Sequence, residues 1–128
     1  MEMIRSVLLV DDEPDILMVS RIALQTVGKL EVETASSGEE ALAKLTHAQP
    51  DVVVLDMMMP GMDGLQTLNQ IKERFPSLAC PIVFMTAKTQ QAEREMYLNA
   101  GAAGVINKPF DPMLLPDLLR SIVEPARN

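Results

Sequence analysis

A small set of polar side chains along this sequence could do chemistry together. Asp11 and Asp12, with Glu13 beside them, follow the apolar run VLLV; Asp56 ends DVVVLD; Thr86 follows PIVFM; Lys108 follows AGVIN. Two or three carboxylates held within a few ångströms repel one another and need a cation. An all-oxygen, loop-borne site with few protein ligands suits Mg²⁺ (or Mn²⁺), which keeps waters and shares phosphate oxygens. With the cation present, Asp56 can be both ligand and oxygen nucleophile. Lys108 is a point charge suited to a carboxylate or a phosphoryl oxygen, and the Thr86 hydroxyl can donate to one. Phosphoryl transfer needs little else, because positioning and charge stabilisation supply most of the catalysis.

Each residue alone has a plainer explanation. The DDEPD run can cap a helix, its acids favoured by the N-terminal dipole. Asp56 can be a turn former before Pro60-Gly61, Thr86 a strand or cap residue, and Lys108 a solvated loop lysine. What joins them is position, since each follows an apolar strand-like run. Such runs lie at 7–10, 30–35, 51–56, 81–85 and, more weakly, 103–106. Those at 7–10, 52–55 and 82–85 are continuous rather than alternating, as in parallel strands covered on both faces.

Helical spacing fills the gaps. After Pro14 the apolar positions Ile16, Val19, Ala23 and Val27 predict one face, with Gly28 as a left-handed stop. Ser37 and Glu40 predict a capping box. Asp63 predicts a cap for the stripe Leu65, Leu68, Ile71 and Phe75. Thr89 opens a weaker helix ending at Gly101. Asp111-Pro112 begins a last helix carrying Leu115, Leu118, Leu119 and Ile122, although Pro116 allows a start one turn later. The order is (βα)₅, which predicts an α/β doubly wound parallel sheet with helices on both faces. Sites in such sheets form at the carboxyl edge, where all the named groups fall.

Composition narrows the function. The 128 residues suit one domain spanning 1–128, with a core from about 5 to 124 and no output domain. A net charge of −7 disfavours direct binding to nucleic acid or anionic lipid. No apolar run reaches the roughly 18 residues of a membrane span, and MEMIRS leads straight into a strand, which points to the cytoplasm. The single cysteine, Cys80, allows no internal disulfide and reads as a small buried hydrophobe. Aromatics are only 3% of the chain, so much of the core falls to aliphatic residues and the ten methionines. His47, the only histidine, reads as a surface residue.

Taken together, DD at 11–12, D at 56 before MMMPGMDG, TA at 86–87 and KPF at 108–110 resemble the receiver domain of two-component response regulators, along essentially the entire chain. The resemblance implies a flavodoxin-like fold with strand order 2-1-3-4-5. It implies that Asp56 takes a phosphoryl group from a phosphohistidine on a sensor histidine kinase or histidine phosphotransfer protein, without being a turnover enzyme. Asp11 and Asp12 would hold Mg²⁺ with Asp56 and the backbone carbonyl of Met58, while Thr86 and Lys108 would engage the phosphoryl group. The signal would pass to a downstream protein or fused output domain. Homodimerisation would use the fourth helix, fifth strand and fifth helix.

Three positions qualify the resemblance. Met58 and Lys88 flank the site where the family varies; a thioether cannot orient an attacking water as an amide can, so a long-lived phosphoryl state is expected. Val105 stands where receivers often carry a switching aromatic. Tyr97 and Phe110 are candidate substitutes, with Tyr97 expected on the surface. A receiver that only docks partners, without phosphorylation, is the alternative. A phosphatase of the haloacid-dehalogenase type would want an acid at position 58, and a nucleotide binder a Gly-rich loop after the first strand.

Overall fold

The computed structural model describes residues 3–124; of the final Glu-Pro-Ala-Arg-Asn, which reads in sequence as a frayed tail or the stub of a linker, residues 125–128 lie outside that range. Five strands form one sheet: β1 (Ser6–Val10), β2 (Glu31–Ala35), β3 (Val52–Asp56), β4 (Ile82–Thr86) and β5 (Gly104–Asn107). All neighbours are parallel, in the order β2-β1-β3-β4-β5. This is the predicted flavodoxin-like order, and the strand limits agree with the apolar runs to within one residue. The sequence distinguishes the strands for a physical reason. β3 and β4 are buried at every position, so they are apolar up to their last residues, Asp56 and Thr86, whereas edge strand β2 exposes Glu31 and Glu33 and alternates.

The helices are α1 (Pro14–Ile22), α2 (Gly38–Leu45), α3 (Gly64–Arg74), α4 (Gln91–Ala100) and α5 (Leu115–Val123). On one face of the sheet, Leu8, Val10, Val53, Leu55 and Phe84 pack against α2, α3 and α4. On the other, Val7, Leu9, Val54, Val83 and Met85 pack against Leu24 and against Leu115 and Leu119 of α5. The alternation of side chains along each strand thus divides one apolar run between two cores.

Several local expectations are corrected. The first helix is rotated from its predicted phase. Ser20, Ala23 and Leu24 are buried and Leu17 packs on the core, while Val19 and Val27 are exposed. Apolar residues lie on both sides of this helix, so spacing alone could not choose between them. The helix also continues through a π-helical turn, Ala23–Val27, and Gly28 is not its left-handed stop: its φ is −82°, and the left-handed residue is Lys29 at φ 59°. Gly28 serves close packing instead. A Cβ there would lie 2.7 Å from the Leu24 carbonyl oxygen and 3.0 Å from Pro116 Cβ.

Capping follows the sequence with one change of partner. Ser37 accepts from the Glu40 N–H, but the Glu40 carboxylate turns to Ser36, accepting from its N–H at 2.7 Å and its hydroxyl at 2.8 Å. Asp63 and Gln66 form a full reciprocal box, with both bonds at 2.9 Å. α4 starts at Gln91, two residues after Thr89, and ends as predicted on Gly101 at φ 117°. Asp111 caps a 3₁₀ turn over Pro112–Leu114, so α5 proper begins later, with Pro116 in its first turn, where no intrahelical N–H is needed.

Tyr97 is the larger correction. It is 2% exposed and meets Phe84 edge-on, with ring centroids 5.3 Å apart at 71°. α4 is otherwise polar (QAEREMYLNA), and Tyr97 is its one fully buried side chain. The helix therefore spends its long aromatic on the core, whatever the low average hydropathy of its surroundings suggests. His47 is exposed and Cys80 half-buried. Burial pushes the Cys80 thiol up to about 11, which keeps it protonated and unreactive at neutral pH.

Candidate functional site

Strand register assembles the site. Val10 pairs with Leu55, so Asp11, one residue on, lies beside Asp56. Asp56 pairs with Met85, which places Thr86 one step farther along the neighbouring strand. Thr86 pairs with Asn107, and Lys108 follows at once, its N–H donating to the Thr86 carbonyl at 2.9 Å. Gly64 lets α3 start close against this edge: a Cβ would lie 2.8 Å from the Asp56 carbonyl oxygen.

Asp11, Asp12 and Asp56 each present a carboxylate oxygen within 4.8 Å of the others. Asp11 and Asp56 are buried, at 0% and 2% exposed, and Asp12 is half-buried. The Lys108 ammonium lies between the buried pair, 3.1 Å from Asp11 Oδ2 and 3.1 Å from Asp56 Oδ1. Glu13 joins at 3.6 Å from Lys108 Nζ, and its N–H donates to Asp11 Oδ1 at 2.9 Å. The sequence reading placed Glu13 beside the site but gave it no part. Its signal was the third acid of DDE, which capping explains equally well.

Thr86 is 1% exposed, and its hydroxyl oxygen accepts from the Lys88 N–H at 3.0 Å. Met57 and Met59 are buried while Met58 is 59% exposed, so the methionine run is packing material with one residue at the rim. Beside Lys108, Ile16 and Val19 of α1 and Phe110 and Pro112 of the β5–α5 connection line an open, mainly apolar cleft of about 340 Å³.

Charge crowding leaves a mark on Asp56. Burial raises its carboxyl, and the neighbouring Asp11 raises it further; the Lys108 ammonium and the Met58 backbone pull the other way, leaving it at about 6. Burial disfavours the charge on Lys108, but Asp11 and Asp56 outweigh burial and hold it above its ordinary value. One ammonium is thus too little cation for this cluster. The donor set, all carboxylate oxygen with an open side, is what Mg²⁺ takes, and the three aspartates together would hold it.

The raised carboxyl has a thermodynamic consequence with a definite sign. Below the unfolded value of 3.8, Asp56 is protonated in both states. Between there and about 6 the folded protein binds the proton more tightly, so folding stability falls as pH rises through this window. Allowing for screening on the open side, the loss is roughly 1–2 kcal/mol. Denaturation in EDTA across pH 4 to 7.5 checks this. Asp56→Asn is expected to lack that part of the slope and to be the more stable protein at neutral pH; parallel curves for the two would contradict the assignment.

Comparison with known proteins agrees with the geometry. Residues 7–120 match the family profile of the response regulator receiver domain. The chain is 38% identical over 108 residues to the alkaline phosphatase synthesis transcriptional regulatory protein PhoP of Bacillus subtilis, covering 84% of this chain and 44% of that protein. It is 38% identical to the response regulator Rre1 of Synechocystis, covering 92% and 51%. The chain therefore spans about half the length, or less, of these curated relatives. Among solved structures, the chemotaxis protein CheY4 of Vibrio cholerae superposes with a TM-score of 0.85 at 34% identity, covering 94% of this chain and 99% of that one.

Proposed function

This chain belongs to the response regulator receiver domain family, and on that premise we propose that it is a signalling switch phosphorylated on Asp56. The donor is a phosphohistidine of a sensor histidine kinase or histidine phosphotransfer protein. A carboxylate oxygen of Asp56 attacks phosphorus, the P–N bond to the donor imidazole breaks, and the departing ring nitrogen keeps the electron pair. The observation that carries this reading is the Lys108 ammonium, 3.1 Å from both Asp11 and Asp56 with Asp12 alongside. A domain that only docked partners would have no use for two buried carboxylates crowded around one ammonium.

Asp11, Asp12, Asp56 and the Met58 carbonyl would hold Mg²⁺, which would supply charge neutralisation for the transferring group. The remaining work belongs to the chain. Lys108 turns from the free carboxylate to a phosphoryl oxygen, and the Thr86 hydroxyl proton is donated to another. New charge-assisted hydrogen bonds contribute roughly 1.5–3 kcal/mol each. A shift from 1:99 to 99:1 takes about 5.5 kcal/mol of differential binding. Lys108 exchanges one charge-assisted bond for another, and only the Thr86 contact is new, so phosphorylation shifts the equilibrium part of the way.

The apolar cleft beside Lys108 offers a seat for the protein that carries the phosphohistidine. α4, β5 and α5 form the homodimer face, where Met96, Leu98 and Leu118 are exposed. The signal passes to a downstream protein or a fused output domain. No helix among the described residues is long and apolar enough to cross a membrane, and we assign the switch to the cytoplasm.

Intact mass after incubation with acetyl phosphate tests the reading. The wild type is expected to gain one phosphoryl group in Mg²⁺ and none in EDTA, and Asp56→Asn is expected to gain none in either. An adduct that survives Asp56→Asn would move the acceptor elsewhere.

A further inference from the structure

Burial alternates sharply along Met57-Met58-Met59: the outer side chains are 6% and 7% exposed and the middle one 59%. The two core thioethers are shielded from solvent oxidants, while the Met58 sulfur stands open on the loop leaving Asp56. Met3, Met18, Met96 and Met113 are comparably exposed, but none lies on a loop that leaves the phosphoacceptor strand. We propose that Met58 is an oxidation site through which hydroperoxides shorten the lifetime of the phosphoryl group on Asp56. This inference rests on the phosphorylation reading above.

The chemistry is a two-electron oxygen transfer. The Met58 sulfur attacks one oxygen of hydrogen peroxide, the O–O bond breaks, and the sulfur keeps that oxygen as a sulfoxide while the other leaves as water. The change at the site is one of polarity. A thioether is a weak acceptor and holds no water, whereas a sulfoxide oxygen is a strong one. Hydrolysis of an acyl phosphate needs a water attacking phosphorus in line with the P–O bond, and a sulfoxide oxygen on the loop leaving Asp56 would give that water an acceptor. Because Met58 is mostly exposed, the added oxygen disturbs no core packing, unlike oxidation at Met57 or Met59.

The test compares phosphoryl half-lives by intact mass after the donor is removed, with oxidised positions identified by peptide mass. Wild type, Met58→Leu and Met58→Gln are measured with and without hydrogen peroxide. Oxidised wild type is expected to lose the group severalfold faster and to recover its lifetime after treatment with methionine sulfoxide reductases. Met58→Leu, oxidised at its other exposed methionines, is expected to have the same lifetime with and without peroxide, and Met58→Gln is short-lived without peroxide. An unchanged lifetime with Met58 shown to be oxidised overturns the inference, as does equal acceleration in Met58→Leu. Absence of any adduct on the unoxidised wild type overturns the phosphorylation reading, and this inference with it.

Discussion

Lys108→Met is expected to destabilise the metal-free protein by about 2–3 kcal/mol and, at the same time, to tighten Mg²⁺ binding. Both effects come from one geometry. The ammonium sits 3.1 Å from Asp11 and from Asp56, each almost wholly buried. Removing it leaves two carboxylates facing each other with no compensating charge. Breaking a buried pair costs roughly 3–5 kcal/mol when neither charge can relax. Here the open side of the crevice admits water and Asp56 can take up a proton, so the cost falls to the bottom of that range or just below it. The same ammonium occupies oxygens that a divalent cation needs, and its removal ends that competition. Urea denaturation in EDTA, with and without added Mg²⁺, reads the first effect; calorimetric titration reads the second. Unchanged stability, or weaker Mg²⁺ binding in the variant, would contradict the arrangement.

Asp12→Asn separates cation binding from folding. Asp12 contributes an oxygen to the three-aspartate cluster but takes no part in the Lys108 ion pairs. Replacing it removes one anionic ligand from a site that has few, while leaving the buried contacts in place. Mg²⁺ affinity is expected to fall by at least about tenfold, or 1.4 kcal/mol or more. The metal-free protein should be as stable as the wild type or slightly more so, because a repulsive charge has gone. Titration calorimetry and denaturation midpoints in EDTA check the two halves independently. Equal affinity in both proteins would mean that Asp12 is only a helix-entry residue, the plainer reading of DDEPD.

The sheet and its carboxyl edge were legible because burial on both faces forces continuous apolar runs, and because chemistry at a strand end leaves a polar residue directly after one. Asp11, Asp56, Thr86 and Lys108 all carry that signature, and register alone then brings them together. Less legible were features decided by packing between distant elements. The phase of the first helix depends on which of two apolar sides meets the sheet and, at its π-helical turn, α5. Gly28 looked like a stop because glycine has two uses, conformational freedom and lack of bulk, and the sequence does not say which; Pro116, 88 positions away, decides it. Tyr97 looked like a surface residue because its helix is polar, yet such a helix needs one good anchor, and Phe84 supplies its partner. Glu40 turned to Ser36 because a second serine offers both an N–H and a hydroxyl.

Val105 lies opposite Phe84 in the β4–β5 register and packs, partly buried, against the same core as Tyr97. The aromatic pair on this side of the sheet, Phe84 and Tyr97, comes from β4 and α4, and β5 contributes no aromatic. Phe110 packs partly buried against the opposite core and does not share that position.

The central claim is that Asp56 is the residue that becomes phosphorylated, and reductive trapping tests it most directly. Borohydride reduces an acyl phosphate to an alcohol, so a phosphorylated aspartate is converted to homoserine. Protein loaded with acetyl phosphate and Mg²⁺ would be reduced, digested and sequenced by mass. The account predicts homoserine at position 56 and at no other aspartate, including the neighbouring Asp11 and Asp12. Homoserine at one of those positions instead, or a phosphoryl adduct that borohydride does not reduce, would contradict it.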